Sequence, residues 1–362
     1  MPVGSSFETM KLAIIAITRN GARLGARLKE SAVDADLLVA EKFVKEAGAT
    51  ARPFSGELRE IVRENWRKYQ GFVFVMATGI VVRVIAPHLE AKDRDPAVVV
   101  VDEAGKFAIS FLSGHMGGAN ELARDVAGLL GGQAVITTAT DVNELPCFDL
   151  LAKGEGWVID DLDRVKCLNA LLLAGDEIAV VDASGRISTC FAGRGRLTFH
   201  TNFVAALESG AAGFVFVTNR RLPPQTQAGN LLVLRPKNLV LGIGCNRGTT
   251  AEEIAEVVNA QLKQLFLSLR SVAVIGTAVA KKQEAGLLAF AERHGIPLRL
   301  FESAELNAVT VPSPPSAHAQ GAIGANGVAE PAALLAAGSG RLLLKKVKSG
   351  NVTLAVAEIL ET

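Results

Sequence analysis

The sequence predicts an α/β protein of three α/β units, each with a mainly parallel sheet covered by helices. Three observations carry this expectation. Apolar β-branched runs such as FVFV and AVVVV are continuous rather than alternating, as in strands covered on both faces. Amphipathic stretches with helical spacing lie between them, so strand and helix alternate along the chain. The length, 362 residues of which 49% are hydrophobic, exceeds one ordinary domain and supplies several cores.

The elements follow in order. KLAIIAIT (11–18) reads as a strand, and NGARLGARLKESA (20–32) as a helix with Leu24 and Leu28 on one face. DADLLVAEKF begins the next unit. GELREIVRENWRKYQ (56–70) places Leu58, Ile61, Val62 and Trp66 on one side of a helix. GFVFVMAT (71–78) and DPAVVVVDEAG (95–105) are strands, and GGQAVITTATD (131–141) closes a first domain spanning 11–145. From 147 to 237 the runs shorten between Gly- and Asp-rich turns, as in a small middle α/β domain. PPQTQAGN and RPKN read as linkers to a third domain, 240–362. In that domain EPAALLAAG is a short helix with Pro331 at its first position and Gly338 just past its end. VPSPPSAHAQGAIGANG (311–327) has no core pattern and reads as a lid or a loose loop.

Composition excludes several function classes. A net charge of +1 and 5% aromatics argue against a nucleic-acid surface. No run free of both charge and glycine has the length of a membrane span, and MPVGSSFETM lacks the pattern of a secretory signal. The first nine residues read as an extension before a structural start at Met10. The cysteines, Cys147, Cys167, Cys190 and Cys245, are scattered without a CxxC pair, which disfavours structural zinc or disulfides and fits a reducing cytoplasm.

Five stretches could carry chemistry. In ATGIVVRVIAP, Gly79 ends a strand and Thr78 could cap the next helix and hold an anion; the alternative is a plain strand–turn–helix junction. In LSGHMGGANELA, His115 stands among Gly114, Gly117 and Gly118, after Ser113 and before a helix that Asn120 could cap. With no covering neighbour, such a histidine is a natural acid or base near neutral pH, and Glu121 in the first turn is the reserve; the alternative is an incidental histidine in a turn.

The third stretch is LGIGCNRGTT (241–250). Gly242 and Gly244 suggest a tight turn, and Thr249 with Glu252, or Thr250 with Glu253, a capping box. Gly248 continues the glycine spacing, and Arg247 suits a carboxylate. Cys245 near a helix start should have a lowered pKa, although no nearby histidine would activate it; otherwise it fills an apolar niche. The pattern is neither GxGxxG nor a phosphate loop. In AKKQEAG, Lys281 and Glu284 follow a strand end as ligand-binding residues or as a solvated helix face, and in NGVAEPAAL Glu330 reads as a helix cap.

Eight ordered stretches resemble the CbiG family of cobalamin biosynthesis: IAITRNG, FVFVMATGIVVRVIAP, DPAVVVVDEAG, FLSGHMGGANELA, ITTATD, LGIGCNRGT, KKQEAGL and GVAEPAAL. They span nearly the whole chain and are sparsest at 147–237; the third unit also resembles stand-alone CobE. The resemblance implies a cobalt-precorrin-5A hydrolase, which opens a δ-lactone and releases acetaldehyde to give cobalt-precorrin-5B. The alternative is a non-catalytic corrinoid carrier of the same pathway. It further implies a cobalt-corrinoid substrate that brings its own metal, so no resident cofactor or protein metal site is expected. His115 would activate water, the turn at 117–118 and the helix start would supply N–H donors, and Arg247 and Lys281 would meet substrate carboxylates. Other enzymes of the pathway are candidate partners, a homodimer is a candidate assembly, and neither nucleic acid nor membrane is expected.

Overall fold

The computed structural model describes residues 10–32, 34–91, 94–223, 229–338 and 340–360. The expected N-terminal extension (1–9) and the body of the PPQTQAGN linker (224–228) lie outside them. Three mainly parallel sheets covered by helices make up the fold. The chain divides into two compact units, Met1–Leu150 and Leu151–Thr362.

The first unit holds a seven-stranded sheet: β1 (Leu12–Ala16), β2 (Ala35–Ala40), β3 (Ala51–Phe54), β4 (Gly71–Val75), β5 (Ala97–Val101), β6 (Phe107–Leu112) and β7 (Gln133–Val135). Their order is β3-β2-β1-β4-β5-β6-β7. The alternate side chains of β1, β4 and β5 feed two cores. Ile14, Val73 and Val99 pack under helices Arg19–Ser31 and Ala119–Leu130, while Ile15, Phe72 and Val98 pack under Leu58–Asn65 and Thr78–Ile85. Burial on both faces is why these strands are continuously apolar.

One strand breaks the parallel rule. β6 was not legible as a strand; it runs antiparallel to β5, and β7 then pairs parallel to β6. Leu112, at the carboxyl end of β6, sits opposite Val98 near the amino end of β5. The turns that leave the carboxyl ends of β6 and β7 therefore lie at the amino ends of β4 and β5.

The second unit carries two five-stranded sheets. The middle sheet comprises β8 (Val158–Ile159), β9 (Ile178–Asp182), β10 (Leu197–Phe199), β11 (Gly213–Val217) and β12 (Leu231–Arg235). Its order is β10-β9-β11-β12-β8, parallel except for β8. The third sheet comprises β13 (Leu239–Cys245), β14 (Val272–Ala278), β15 (Leu298–Phe301), β16 (Arg341–Ser349) and β17 (Val352–Glu358), in the order β15-β14-β13-β17-β16. β13 is central, parallel to β14 and antiparallel to β17.

Helices Ala251–Gln264 and Ala285–Arg293 cover one face of the third sheet, and Ala329–Ala337 covers the other. Gly242 serves this packing rather than the expected turn, and Gly276 on β14 serves it too. A Cβ on either would overlap a backbone carbonyl of the helix, that of Ala329 or of Ala332. Ala329–Ala337 begins two residues earlier than expected, so Pro331 is its third residue. The 311–327 segment contains helix Ala317–Ile323, capped by Ser316, and Ser303 Oγ donates to Ile323 O at 2.6 Å. It is an anchored arm, not a loose loop.

Candidate active site

The turn after β6 coils back on itself. Ser113 takes a positive φ of 58°, and its hydroxyl donates to Asp95 O at 3.0 Å. The amides of Gly118, Ala119 and Asn120 donate to the carbonyls of His115, Ser113 and Gly114 at 2.9, 3.1 and 3.0 Å. Those three N–H groups are spent inside the turn, which corrects the expectation that they face a ligand. The N-cap of helix Ala119–Leu130 is Gly118 at φ 88°, so Asn120 is not the cap. Gly114 and Gly117 are small of necessity: a Cβ on Gly117 would overlap Ser113, and one on Gly114 would lie 2.7 Å from Asn120 Oδ1.

Asn120 is instead a buried hub. Its Nδ2 donates to Thr138 Oγ1 and Asp141 Oδ2, each at 2.9 Å, and its Oδ1 accepts from Ser110 Oγ at 2.6 Å. Asp141 also accepts from Thr138 Oγ1 at 2.8 Å and from Arg124 at 2.6 Å. Burial alone would raise its pKa, but the Thr138 hydroxyl, the Arg124 guanidinium and the nearby His115 outweigh that and lower it.

His115 is covered, contrary to the sequence expectation. Its side chain is 22% exposed. Nε2 lies 2.8 Å from Thr140 Oγ1, while Nδ1 is 3.7 Å from both Asp141 Oδ2 and Cys147 Sγ. A hydroxyl is thus hydrogen-bonded to one imidazole nitrogen, and a carboxylate stands within ion-pair range of the other, placed to favour the imidazole's protonated form. The thiol beside it is pushed up to about 12 by burial and by Asp149, so Cys147 stays neutral. Glu121 is exposed on the first turn of the helix.

Thr78 and Gly79 are not brought to this cluster. They follow β4, at the carboxyl end of the parallel strands, whereas His115 follows β6 at the amino end. The two ends are one strand length apart, roughly 16 Å. Thr78 is the first residue of its helix, whose N-cap is Ala77, so it caps nothing.

A second constellation forms at the carboxyl ends of β13 and β14. Gly244 lies within β13 and Cys245 ends it; the turn itself is made at Gly248, with φ 76°. Gly248 N donates to Glu284 Oε2 at 3.1 Å, and Lys281 Nζ lies 3.2 Å from Glu284 Oε1. Burial alone would raise the Glu284 pKa; the Gly248 amide, Lys281 and Arg247 together lower it. The turn therefore does hold a carboxylate, and it is the chain's own.

Arg247 is exposed and makes no hydrogen bond or ion pair among the described residues. The Cys245 pKa is raised, not lowered: burial outweighs Lys281, and helix Ala251–Gln264 starts six residues on. Thr250 caps that helix by accepting from Glu253 N at 3.2 Å. The reciprocal bond is not made, because Glu253 Oε1 accepts from Asn351 N. Thr249 is buried and donates to Asn246 O at 2.9 Å. Glu330 is 2% exposed and caps nothing; it accepts from Ser313 N, Ser313 Oγ and Lys346 N. Among the described residues no group of three or more His, Cys, Asp or Glu is arranged to hold a metal ion.

Known proteins match this chain along its length. It is 39% identical to the cobalt-precorrin-5A hydrolase of Priestia megaterium, covering 96% of this chain and 94% of the relative. The chain belongs to the CbiG family. The CbiG family models match in order: the Cobalamin synthesis G N-terminal region at 60–141, the Cobalamin biosynthesis central region at 146–236 and the Cobalamin synthesis G C-terminus at 239–357. The cobalt-precorrin-5A hydrolase of Salmonella typhimurium is 32% identical, covering 95% of this chain and 97% of the relative. Protein CobE of Sinorhizobium sp is 32% identical over 121 residues, 33% of this chain and 79% of CobE.

In this CbiG chain, sequence reasoning missed Ser110, Arg124, Thr138, Thr140, Asp141 and Cys147. The stretch TTATD (137–141) did hold a signal. Three hydroxyls and a carboxylate directly after a strand are a polar load that a plain loop does not need.

Proposed function

We infer that this chain is a cobalt-precorrin-5A hydrolase, an enzyme of cobalamin biosynthesis acting on a cobalt-corrinoid. The observation that carries this is the 39% identity to such a hydrolase along 96% of the chain. The His115 cluster supplies groups suited to the reaction. Water adds to the lactone carbonyl while His115 Nε2 takes its proton, with the Thr140 hydroxyl as the intervening relay. Asp141, itself fixed by Asn120, Thr138 and Arg124, steadies the resulting imidazolium. Ring opening leaves a carboxylate and a hydroxyl. When that hydroxyl gives up its proton, the adjacent C–C bond breaks. Acetaldehyde leaves, and the electron pair stays on the macrocycle to be protonated.

Arg247 and Lys281 meet the substrate's peripheral carboxylates, one of which exchanges for Glu284 over the Gly248 turn. The cobalt enters as part of the substrate, and the protein needs no resident cofactor. Four free cysteines support a cytoplasmic setting. Assembly as a homodimer and contact with other enzymes of the pathway belong to the same reading. The test is incubation with cobalt-precorrin-5A and mass analysis of the product. Loss of a two-carbon unit with acetaldehyde in solution is expected; recovery of unchanged substrate refutes the reading.

A further inference from the structure

A cavity of about 280 Å³ opens in the second unit, and none of its lining residues belongs to either constellation. Arg221, Arg235 and Arg270 line it with Asn259 and Ser268, over a floor that includes Leu262 and Leu267. No acidic residue lines it among the described residues.

The charges there do not cancel. Asp160 takes Arg235 Nε at 2.9 Å and Nη2 at 2.8 Å, and Arg270 Nη1 at 2.9 Å. One carboxylate thus serves two guanidiniums. The Arg221 side chain has no hydrogen bond or ion pair among the described residues. Burial and, after it, the charge of Arg270 hold the Lys237 ammonium below its usual range, as expected in a region already positive. Arg235 is itself 6% exposed and fixed by the carbonyls of Thr218 and Arg220.

The walls are held rigidly. Arg221 N donates to Phe266 O at 2.7 Å, Ser268 N donates to Asn219 O at 2.8 Å, and Arg220 bridges to Leu267. Phe266 takes φ 54° to close this stitch. Apolar walls with a few convergent cations form a preorganised anion pocket. Its volume is far below that of a tetrapyrrole, so a whole macrocycle does not fit.

We propose that this cavity is a binding site for a small oxyanion, a carboxylate or a phosphate, held by Arg221 and Arg270 with Arg235 behind them. The proposal does not rest on the hydrolase reading. A substrate's carboxylate arm and a free phosphate share this chemistry, and the probes separate them.

The experiment is calorimetric titration of the full chain with glutarate and with inorganic phosphate, at constant ionic strength set by sodium chloride. At least one probe should bind the wild type. Arg221→Ala, which removes no side-chain hydrogen bond or ion pair among the described residues, should weaken that binding about tenfold or more, the scale of one charge-assisted contact. Arg270→Gln should also weaken it, and Arg63→Ala, on exposed helix Leu58–Asn65 of the first unit, should not. Binding of glutarate alone identifies a carboxylate site, and binding of phosphate alone a phosphate site. No binding of either probe overturns the proposal, as does equal binding by wild type and Arg221→Ala.

Discussion

The turn after β6 and the turn after β13 are both glycine-rich exits from a sheet, yet they carry opposite chemistry. The first gathers an imidazole, a carboxylate and hydroxyls into a buried network whose members satisfy one another. The second gathers an arginine, a lysine and one internal carboxylate at a half-open rim, with no histidine among them. Proton transfer needs groups held in register, and a buried, saturated network gives that. Holding a large polyanion needs cations near water, free to exchange partners. The contrast teaches that glycine content marks where backbone bends, while the neighbours contributed by distant segments decide what the bend does.

The sharpest way to break the comparison is at His115. His115→Ala should lower kcat by about 10² to 10⁴ with little change in KM, because its contact matters mainly in the transition state. Steady-state kinetics with cobalt-precorrin-5A checks this. Normal turnover would move the base elsewhere, with Glu121 next in line, and the first turn would lose its claim to chemistry.

Asp141→Asn comes next and reads the network itself. It leaves Arg124 a neutral amide in place of a carboxylate, and puts an NH2 where Asn120 and Thr138 donate, so we expect a loss of about 2 to 3 kcal/mol in urea unfolding at neutral pH. The sign of the pH dependence follows from the lowered pKa. Asp141 stabilises fully above the unfolded carboxylate value of about 4, and that share is lost as pH falls through the lower folded value. The gap between wild type and variant should therefore narrow toward pH 3 and below. A gap that does not change with pH would mean that the carboxylate's charge is immaterial.

At the second turn the effects should be on binding. Arg247→Ala should weaken corrinoid affinity about tenfold or more, and Arg247→Lys less, since lysine keeps the charge and loses only the fork. Equal affinity in a spectral titration would remove Arg247 from the site. The smallest effect belongs to Cys245→Ser. With a raised pKa and no base beside it, the thiol is a poor nucleophile, so turnover should stay near wild type. A covalent adduct trapped on Cys245 would erase the division between the two turns.

Much of this was legible in the sequence, and the illegible parts share a cause. Runs such as LAIIA and AVVVV announce buried parallel strands because both faces are covered. His115 stood out among its glycines. Its partners did not, because Thr140 and Cys147 reach it from 25 and 32 residues away. That Thr78 and His115 lie at opposite ends of the sheet was not legible, because FAISFL was not read as a strand and its reversal exchanges the ends. Asn120 and Glu330 looked like caps because polar residues near helix starts usually are. Both instead turn inward to other segments.

The missing side chains at Gly242 and Gly276 set the depth at which helix Ala329–Ala337 is seated on the third sheet. A single methyl at either position would jack the helix off its bed, for the obstruction is backbone and cannot swing aside. Glu330 rides on that helix and is tethered to Ser313 on one side and to the Lys346 amide of β16 on the other. Lifting the helix would therefore tug the 311–327 arm and the edge strand together. The underside of this sheet behaves as one lever, with its fulcrum at two bare α-carbons.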